Sequence, residues 1–148
     1  MIPSSEKPLH SGNSGLYQLE NDGVLTAKST LVAGNQGENC NSDGTATSNG
    51  YNLSDDSCGI FNAATDRNNT PADLDPNGLQ NNGGPTQTIA LLSKSPAINA
   101  IPAANCTDNQ GNPITTVQRR IKRPQSAGCD IGAFELVQNT PFSSSARN

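Results

Sequence analysis

An all-β chain with a thin core is the fold class that the sequence predicts, on three observations. Large apolar side chains are scarce: 32% of residues are hydrophobic and 3% aromatic, with no Trp, too few for a wide globular core. Charge does not fill the gap, because charged residues make up only 15% and the net charge is −4, so the balance falls to Asn, Ser, Thr and Gly. From Leu16 onward, β-branched residues recur in period-two stretches bounded by Gly and Asn turns. Parallel β-helices and other solenoids replace bulky packing with backbone pairing and stacked polar side chains, and this composition suits them. The competing reading is a partly disordered Asn/Ser-rich linker.

At 148 residues the chain is long enough for one domain, which would bury roughly two-thirds of its unfolded surface. No run approaches the ~18 apolar residues of a membrane span. The modest acidic balance does not suit nucleic acid, which selects clustered Lys and Arg. Cys40, Cys58, Cys106 and Cys129 lie far apart, without the CxxC spacing of a zinc site. An even count in a chain with a small core reads as two disulfides and an oxidising compartment, against the alternative of four buried thiols. Of the three pairings, sequence proximity favours Cys40 with Cys58 and Cys106 with Cys129. Each bridge closing a loop of about 20 residues is worth roughly 3 kcal/mol in the chain-entropy model.

Taken in order, residues 1–14 form a polar lead-in rich in Ser, Gly and Pro. They hold His10, the single His of the chain, which has no neighbouring partner for acid/base work. The segment has no apolar h-region, so a signal peptide is not expected in this chain. Residues 23–35, GVLTAKSTLVAGN, read as strand, turn, strand. Asn35, Asn52, Asn77 and Asn99 are either rungs of an internal amide ladder or ordinary turn residues. Asp55, Asp56, Asp66, Asp73 and Asp75 fall close together, but their spacing fails both the EF-hand loop and the Gly-rich calcium nonapeptide. They read as solvated loop residues, and no metal site is assigned. Residues 59–76 read as a surface loop leading into a short strand at 72–75, between Pro71 and Pro76.

The central stretch begins with Asn81-Asn82-Gly83-Gly84-Pro85, which supplies residues tolerant of positive φ and then a fixed φ, so the chain turns sharply. Residues 86–92, TQTIALL, follow as a strand buried on both faces, with a helical turn as the alternative. Residues 95–100, SPAINA, make a second short strand. Ile89, Leu91, Leu92 and Ile98 are expected in the core. Further on, Arg119, Arg120, Lys122 and Arg123 form a basic run. It reads as a solvated loop pairing with Asp108, Asp130 or Glu135, or as a surface for an acidic polysaccharide. Residues 129–136, CDIGAFEL, supply a closing strand.

Residues 79–100, LQNNGGPTQTIALLSKSPAINA, and 128–135, GCDIGAFE, resemble the C-terminal part of the choice-of-anchor Q domain family of bacterial secreted or surface proteins. The first segment is similar almost throughout to the family's Leu-x-x-Asn-Gly-Gly-Pro-Thr-x-Thr, aliphatic run and Ser-Pro-Ala-Ile-(Asp/Asn)-Ala. Gly50-Tyr51-Asn52-Leu53 resembles its recurring Gly-aromatic-Asn-Leu strand. Gln118, Arg119, Arg123 and Pro124 align with a further motif, but Val117 stands where Asp is expected and Arg120 where Gly is expected. The resemblance covers residues 15–136, strongly in the last sixty, with 137–148 a flexible tail. It implies a right-handed parallel β-helix with long loops, made of the short C-terminal coils of a longer solenoid plus a cap. The Cys40–Cys58 bridge would then staple consecutive coils.

The family name describes display and says nothing of a reaction; a non-enzymatic extracellular or cell-surface structural or adhesion module is the reading that fits the lack of an acid/base constellation and the polar composition. The alternative is a carbohydrate-active lyase- or hydrolase-like β-helix enzyme or a glycan-binding module, an analogy of fold. Its candidates would be Asp108 and Asp130 with Arg119 and Arg123. No catalytic or cofactor-binding residue is assigned and no cofactor is expected. The expected partners are surface glycans, or a second copy meeting the open edge of the N-terminal coil.

Overall fold

The structure, a computed structural model, describes residues 9–10 and 17–138. The rest of the lead-in and the tail from residue 139 lie outside the described residues. Regular structure is almost wholly strand: β1 (Leu9–His10), β2 (Tyr17–Asn21), β3 (Val24–Ala27), β4 (Leu31–Val32), β5 (Glu38–Ser42), β6 (Thr45–Ser48), β7 (Leu53–Ser54), β8 (Ile101–Pro102) and β9 (Gly128–Cys129), with one 3₁₀ turn at Ala103–Asn105. The chain is all-β, with short strands in sheets of two or three. The strand at β1 takes in Leu9 and His10, two residues read as lead-in.

The first half pairs only in parallel. β4 lies between β1 and β7, β2 pairs with β5, and β3 with β6. The displacement is nearly constant: Leu9 meets Leu31 and Leu31 meets Leu53, 22 positions on, while Tyr17 meets Glu38 and Val24 meets Thr45, 21 positions on. Each passage therefore brings equivalent residues to the same place. The next passage is shorter, because Leu53 meets Arg67 in parallel only 14 positions on.

Corners hold this register. The N–H groups of Asp43 and Gly44 both donate to the Asn21 carbonyl, so the turn at 42–44 sits on the turn at 21–23. A Cβ on Gly44 would lie 2.2 Å from the Gly23 oxygen, and only glycine permits that approach. The Asn21 amide donates to Ser42 Oγ (3.0 Å) and to the Thr45 carbonyl (3.2 Å). Asn52, fully buried, accepts from the Thr30 N–H (2.9 Å) and donates to Ser48 Oγ (2.8 Å) and Asp66 Oδ1 (3.0 Å). The expected amide ladder is thus replaced by Asn joined to Ser, Asp and backbone. Asn35 instead reaches Asn39 within one passage, Asn77 reaches Asp75, and the Asn99 N–H reaches Asp130.

The second half is irregular and pairs antiparallel, at Leu74 with Leu91, Gln80 with Thr88, Thr107 with Pro113, Thr116 with Lys122, and between β8 and β9. It covers one face of the sheet β1–β4–β7. Successive side chains of a strand point to opposite faces, so Leu31 enters one core and Val32 another. Val32 packs with Leu19, Ala27, Ile60 and Phe61 inside the parallel passages. Leu31 and Leu53 pack with Ala97, Ile101, Ile131 and Phe134 of the second half. The expected strand at 72–75 shrinks to the pairing at Leu74. Ile89 and Leu91 are buried, but Leu92 is 43% exposed, because the stretch at 86–92 is covered on one side only. Ile98 is half-buried against the core.

Leu31→Ala and Leu53→Ala each remove a fully buried side chain and are expected to cost about 2–5 kcal/mol. Leu92→Ala is expected to stay within about 0.5 kcal/mol. Denaturant unfolding of the oxidised chain checks all three.

Candidate functional site

Both predicted disulfides are present. Cys40 is joined to Cys58 and Cys106 to Cys129, with Cα atoms 5.1 and 6.1 Å apart. The first ties β5 to the residues filling the end of the inner core. The second ties the 3₁₀ turn to β9. Such bridges are typical of oxidising, extracellular compartments. No described helix is long and apolar enough to cross a membrane.

The basic run is solvated only in part: Arg120 and Lys122 are exposed, whereas Arg119 and Arg123 are not. Residues 115–123 form a hairpin whose arms carry Arg119 and Arg123 back toward the body of the molecule. Arg123 is buried, and its Nε donates to Glu135 Oε2 at 2.7 Å. Its Nη2 donates to the carbonyls of Asp130 (2.9 Å), Gly132 (2.9 Å) and Phe134 (3.3 Å). Glu135 also accepts from the N–H groups of Asp130 (3.1 Å) and Gln125 (3.2 Å). Asp130 accepts from the N–H groups of Asn99 (2.8 Å) and Leu136 (2.6 Å). Three charges thus fold the segment 128–136 around one guanidinium. Sequence reading named Asp108, Asp130 and Glu135 as possible partners of the arginines, and Glu135 is the one that pairs with Arg123; what it did not give is the burial of the pair.

Arg119 performs a related task. Its Nη1 donates to the Asn82 carbonyl (2.7 Å), its Nη2 donates to the Glu135 carbonyl, and its guanidinium lies 3.9 Å over the Phe134 ring. A Cβ on Gly84 would come within 2.7 Å of the Arg119 Cα, so the second glycine of the Gly-Gly-Pro turn is there to let this backbone approach. Gln118 completes the contact by donating to Thr86 Oγ1 (2.6 Å). Arg119 therefore couples the turn at 81–85 to the closing segment. At Arg120 the backbone φ is +63°, the left-handed conformation that the glycine of the resembling motif would favour. The turn forms there with Arg in that conformation.

Electrostatics follow burial. Desolvation lowers the pKa of both Arg119 and Arg123, and Glu135 and Asp130 oppose it, so both remain cations. Burial pushes the Asp130 carboxyl above the ordinary aspartate value, with the Glu135 charge adding to it. The N–H groups of Leu136 and Asn99, together with Arg123, work in the opposite direction.

The remaining candidates lie apart from this cluster. Asp108 organises its own turn, accepting from the N–H groups of Gln110 and Asn112 and from the Asn112 amide, and the Asn112 amide is the first cause of its lowered pKa. Lys28 anchors that turn to the first half, donating to Thr107 Oγ1 and to the Asp108 carbonyl (3.1 Å). Of the aspartates read as solvated, Asp55, Asp56 and Asp66 are corner acceptors. Asp55 takes the Gly34 N–H (2.8 Å), Asp56 the Asn39 N–H (3.0 Å), and Asp66 the N–H groups of Asn52 and Ala63 (2.9 Å each). His10 falls in β1. Among the described residues no group of three or more His, Cys, Asp or Glu converges as metal ligands would.

Open grooves lie among the described residues, and two of them bear on function. One, of 620 Å³, runs between the corner at Ala33 and the loop 71–78, with Ala72 and Ile89 in its floor and Asp55, Asp73 and Asp75 on its rim. The other, of 440 Å³, lies beside β5 where the shorter passage leaves Asn41, Ser42 and Ala46 uncovered. Comparison with known proteins returned no match: no family model fits the chain, and neither a curated protein nor a solved structure is significantly similar to it.

Arg123→Met leaves Glu135 buried without its cation and is expected to cost about 3–5 kcal/mol, measured by unfolding. Adding Glu135→Gln should lower that cost, because the uncompensated charge goes with it. A pH series gives a separate check. With its folded pKa raised, Asp130 holds a proton that the unfolded chain releases just above the ordinary aspartate value, so its contribution to stability declines as pH rises through that window. The decline is expected in the wild type and absent in Asp130→Asn.

Proposed function

We propose that the chain is a non-enzymatic structural or adhesion module of an extracellular or cell-surface protein. On this reading its first half is a short right-handed parallel β-helix, resembling the C-terminal coils of choice-of-anchor Q domain proteins, and its second half is the cap. Support for the β-helix comes from the 21- and 22-position displacements shared by three parallel sheets, and parallel crossovers are right-handed in about 98% of cases. Support for the location comes from the two disulfides.

The observation that carries the functional reading is the internal commitment of the ionic cluster. Arg123 bonds the Glu135 carboxylate and the carbonyls of Asp130, Gly132 and Phe134, and Asp130 bonds the N–H groups of Asn99 and Leu136. Arg119 bonds Asn82 and Glu135 through its two Nη atoms and lies over Phe134, with its Nε buried and unpaired among the described residues. A glycosidase needs two carboxyl groups roughly 5 to 9.5 Å apart across an open groove, one of them free to exchange a proton with the sugar. Asp130 is 1% exposed, and Asp108 is committed to its own turn.

Incubation with acidic and neutral glycans, followed by assay for new reducing ends and unsaturated products, tests this. The expected result is no product above the blank. Product that disappears in Asp108→Asn, with both disulfides and the melting temperature unchanged, would establish the carbohydrate-active alternative.

A further inference from the structure

Two surfaces of this molecule are opposite in charge, and their charged groups form no ion pair with each other among the described residues. The first is the 620 Å³ groove, whose apolar floor at Ala33, Ala72 and Ile89 carries a rim of Asp55, Asp73 and Asp75. Asp55 and Asp75 are oriented by bonds from Asn39 and from Asn77 and Gln80, and Asp73 is exposed, its carboxylate without a partner among the described residues. No aromatic ring lines the groove, so a sugar would find no stacking platform there.

The second surface is the tip of the hairpin 116–122, closed by the Val117 N–H donating to the Ile121 carbonyl (3.0 Å) and the Arg120 N–H to the Val117 carbonyl (2.8 Å). While Arg119 and Arg123 turn inward, Arg120 and Lys122 are exposed and form no ion pair among the described residues. Val117 and Ile121 flank them, half-buried and outside both cores. The tip thus presents two cations and two branched apolar side chains. The groove presents three carboxylates and an apolar floor.

We propose that the hairpin tip of one copy docks in the acid-rimmed groove of another, so that the module self-associates through a contact between two different surfaces. Arg120 and Lys122 would meet Asp73 and Asp75 while Val117 or Ile121 enters the floor. In a chain of net charge −4, this local inversion of sign gives the contact its direction, because other encounters between copies bring like charges together. The contact is separate from any edge-to-edge pairing of β2 or β3, so it stands or falls independently of the β-helical reading above.

Sedimentation velocity across a range of concentration and salt tests it. At low salt the wild type is expected to sediment as a species larger than one chain, and to return to a single chain at about 1 M salt, where charges are screened beyond ~3 Å. Arg120→Glu/Lys122→Glu and Asp73→Asn/Asp75→Asn are each expected to weaken association by about tenfold or more, with melting temperatures close to wild type. Asn is used at Asp73 because φ there is +48° and Asn tolerates it. The decisive sample is the mixture. The tip variant keeps an intact groove and the groove variant an intact tip, so together they should form a 1:1 complex that neither forms alone. A wild type that stays a single chain at low salt and high concentration would overturn the proposal. So would association that persists in both variants, which would place the contact outside the hairpin tip and the groove.

Discussion

Burial of the Arg123 guanidinium is the interaction on which the second half of the molecule depends. Residues 128–136 cover the outer face of the sheet β1–β4–β7, yet β9 pairs at only two positions and the carbonyls of Asp130, Gly132 and Phe134 have no strand to bond. Unpaired buried carbonyls are costly, and a planar cation with five donors satisfies several at once. Glu135 neutralises that cation and holds the Asp130 and Gln125 N–H groups. Lysine would not reproduce this set, because Nη2 holds the three carbonyls while Nε holds Glu135, and an ammonium offers three donors for four acceptors.

This arrangement explains how so few apolar side chains make a core. Leu31 and Val32 are consecutive and both fully buried, one inside the parallel passages and one under the second half. A single strand therefore contributes to two thin cores. Each disulfide closes one half of the chain and neither joins the two. The halves are held instead by the shared apolar face and by bonds across it, such as the Gly132 N–H to the Ser29 carbonyl (3.0 Å), Arg67 to the Pro96 carbonyl (2.6 Å), and Lys28 to the turn at 107–108. Covering of Leu31 and Leu53 thereby depends on the ionic cluster at Arg123, Asp130 and Glu135, which lies 70 to 104 positions later in the chain.

Charged groups divide accordingly into those that hold backbone and those that face solvent. Arg119 and Arg123 belong to the first kind, as do Asp55, Asp56 and Asp66 at the corners of the parallel passages. Arg120, Lys122 and Asp73 belong to the second. Adjacent residues in one basic run thus have opposite fates, decided by which side of a hairpin each occupies.

Much of the architecture was legible in the residues themselves. The all-β class followed from composition and period-two stretches, the cysteine pairing from proximity, and the strand–turn–strand at 23–35 from its β-branched run, because each depends on neighbours close in sequence. The turn at 81–85 was legible as a turn, but the need for glycine at Gly84 was not, since the atom it avoids belongs to Arg119. Leu92 looked as buried as Leu91, and Arg123 as solvated as Arg120. Burial at these positions is set by what packs from far along the chain, and Glu135 is bound to Arg123 by a fold rather than by spacing. Local hydrogen-bonding and side-chain preference were therefore determined by the sequence alone, whereas the choice of which polar groups leave water was decided only by the tertiary structure, because desolvation depends on every surface that closes over a group.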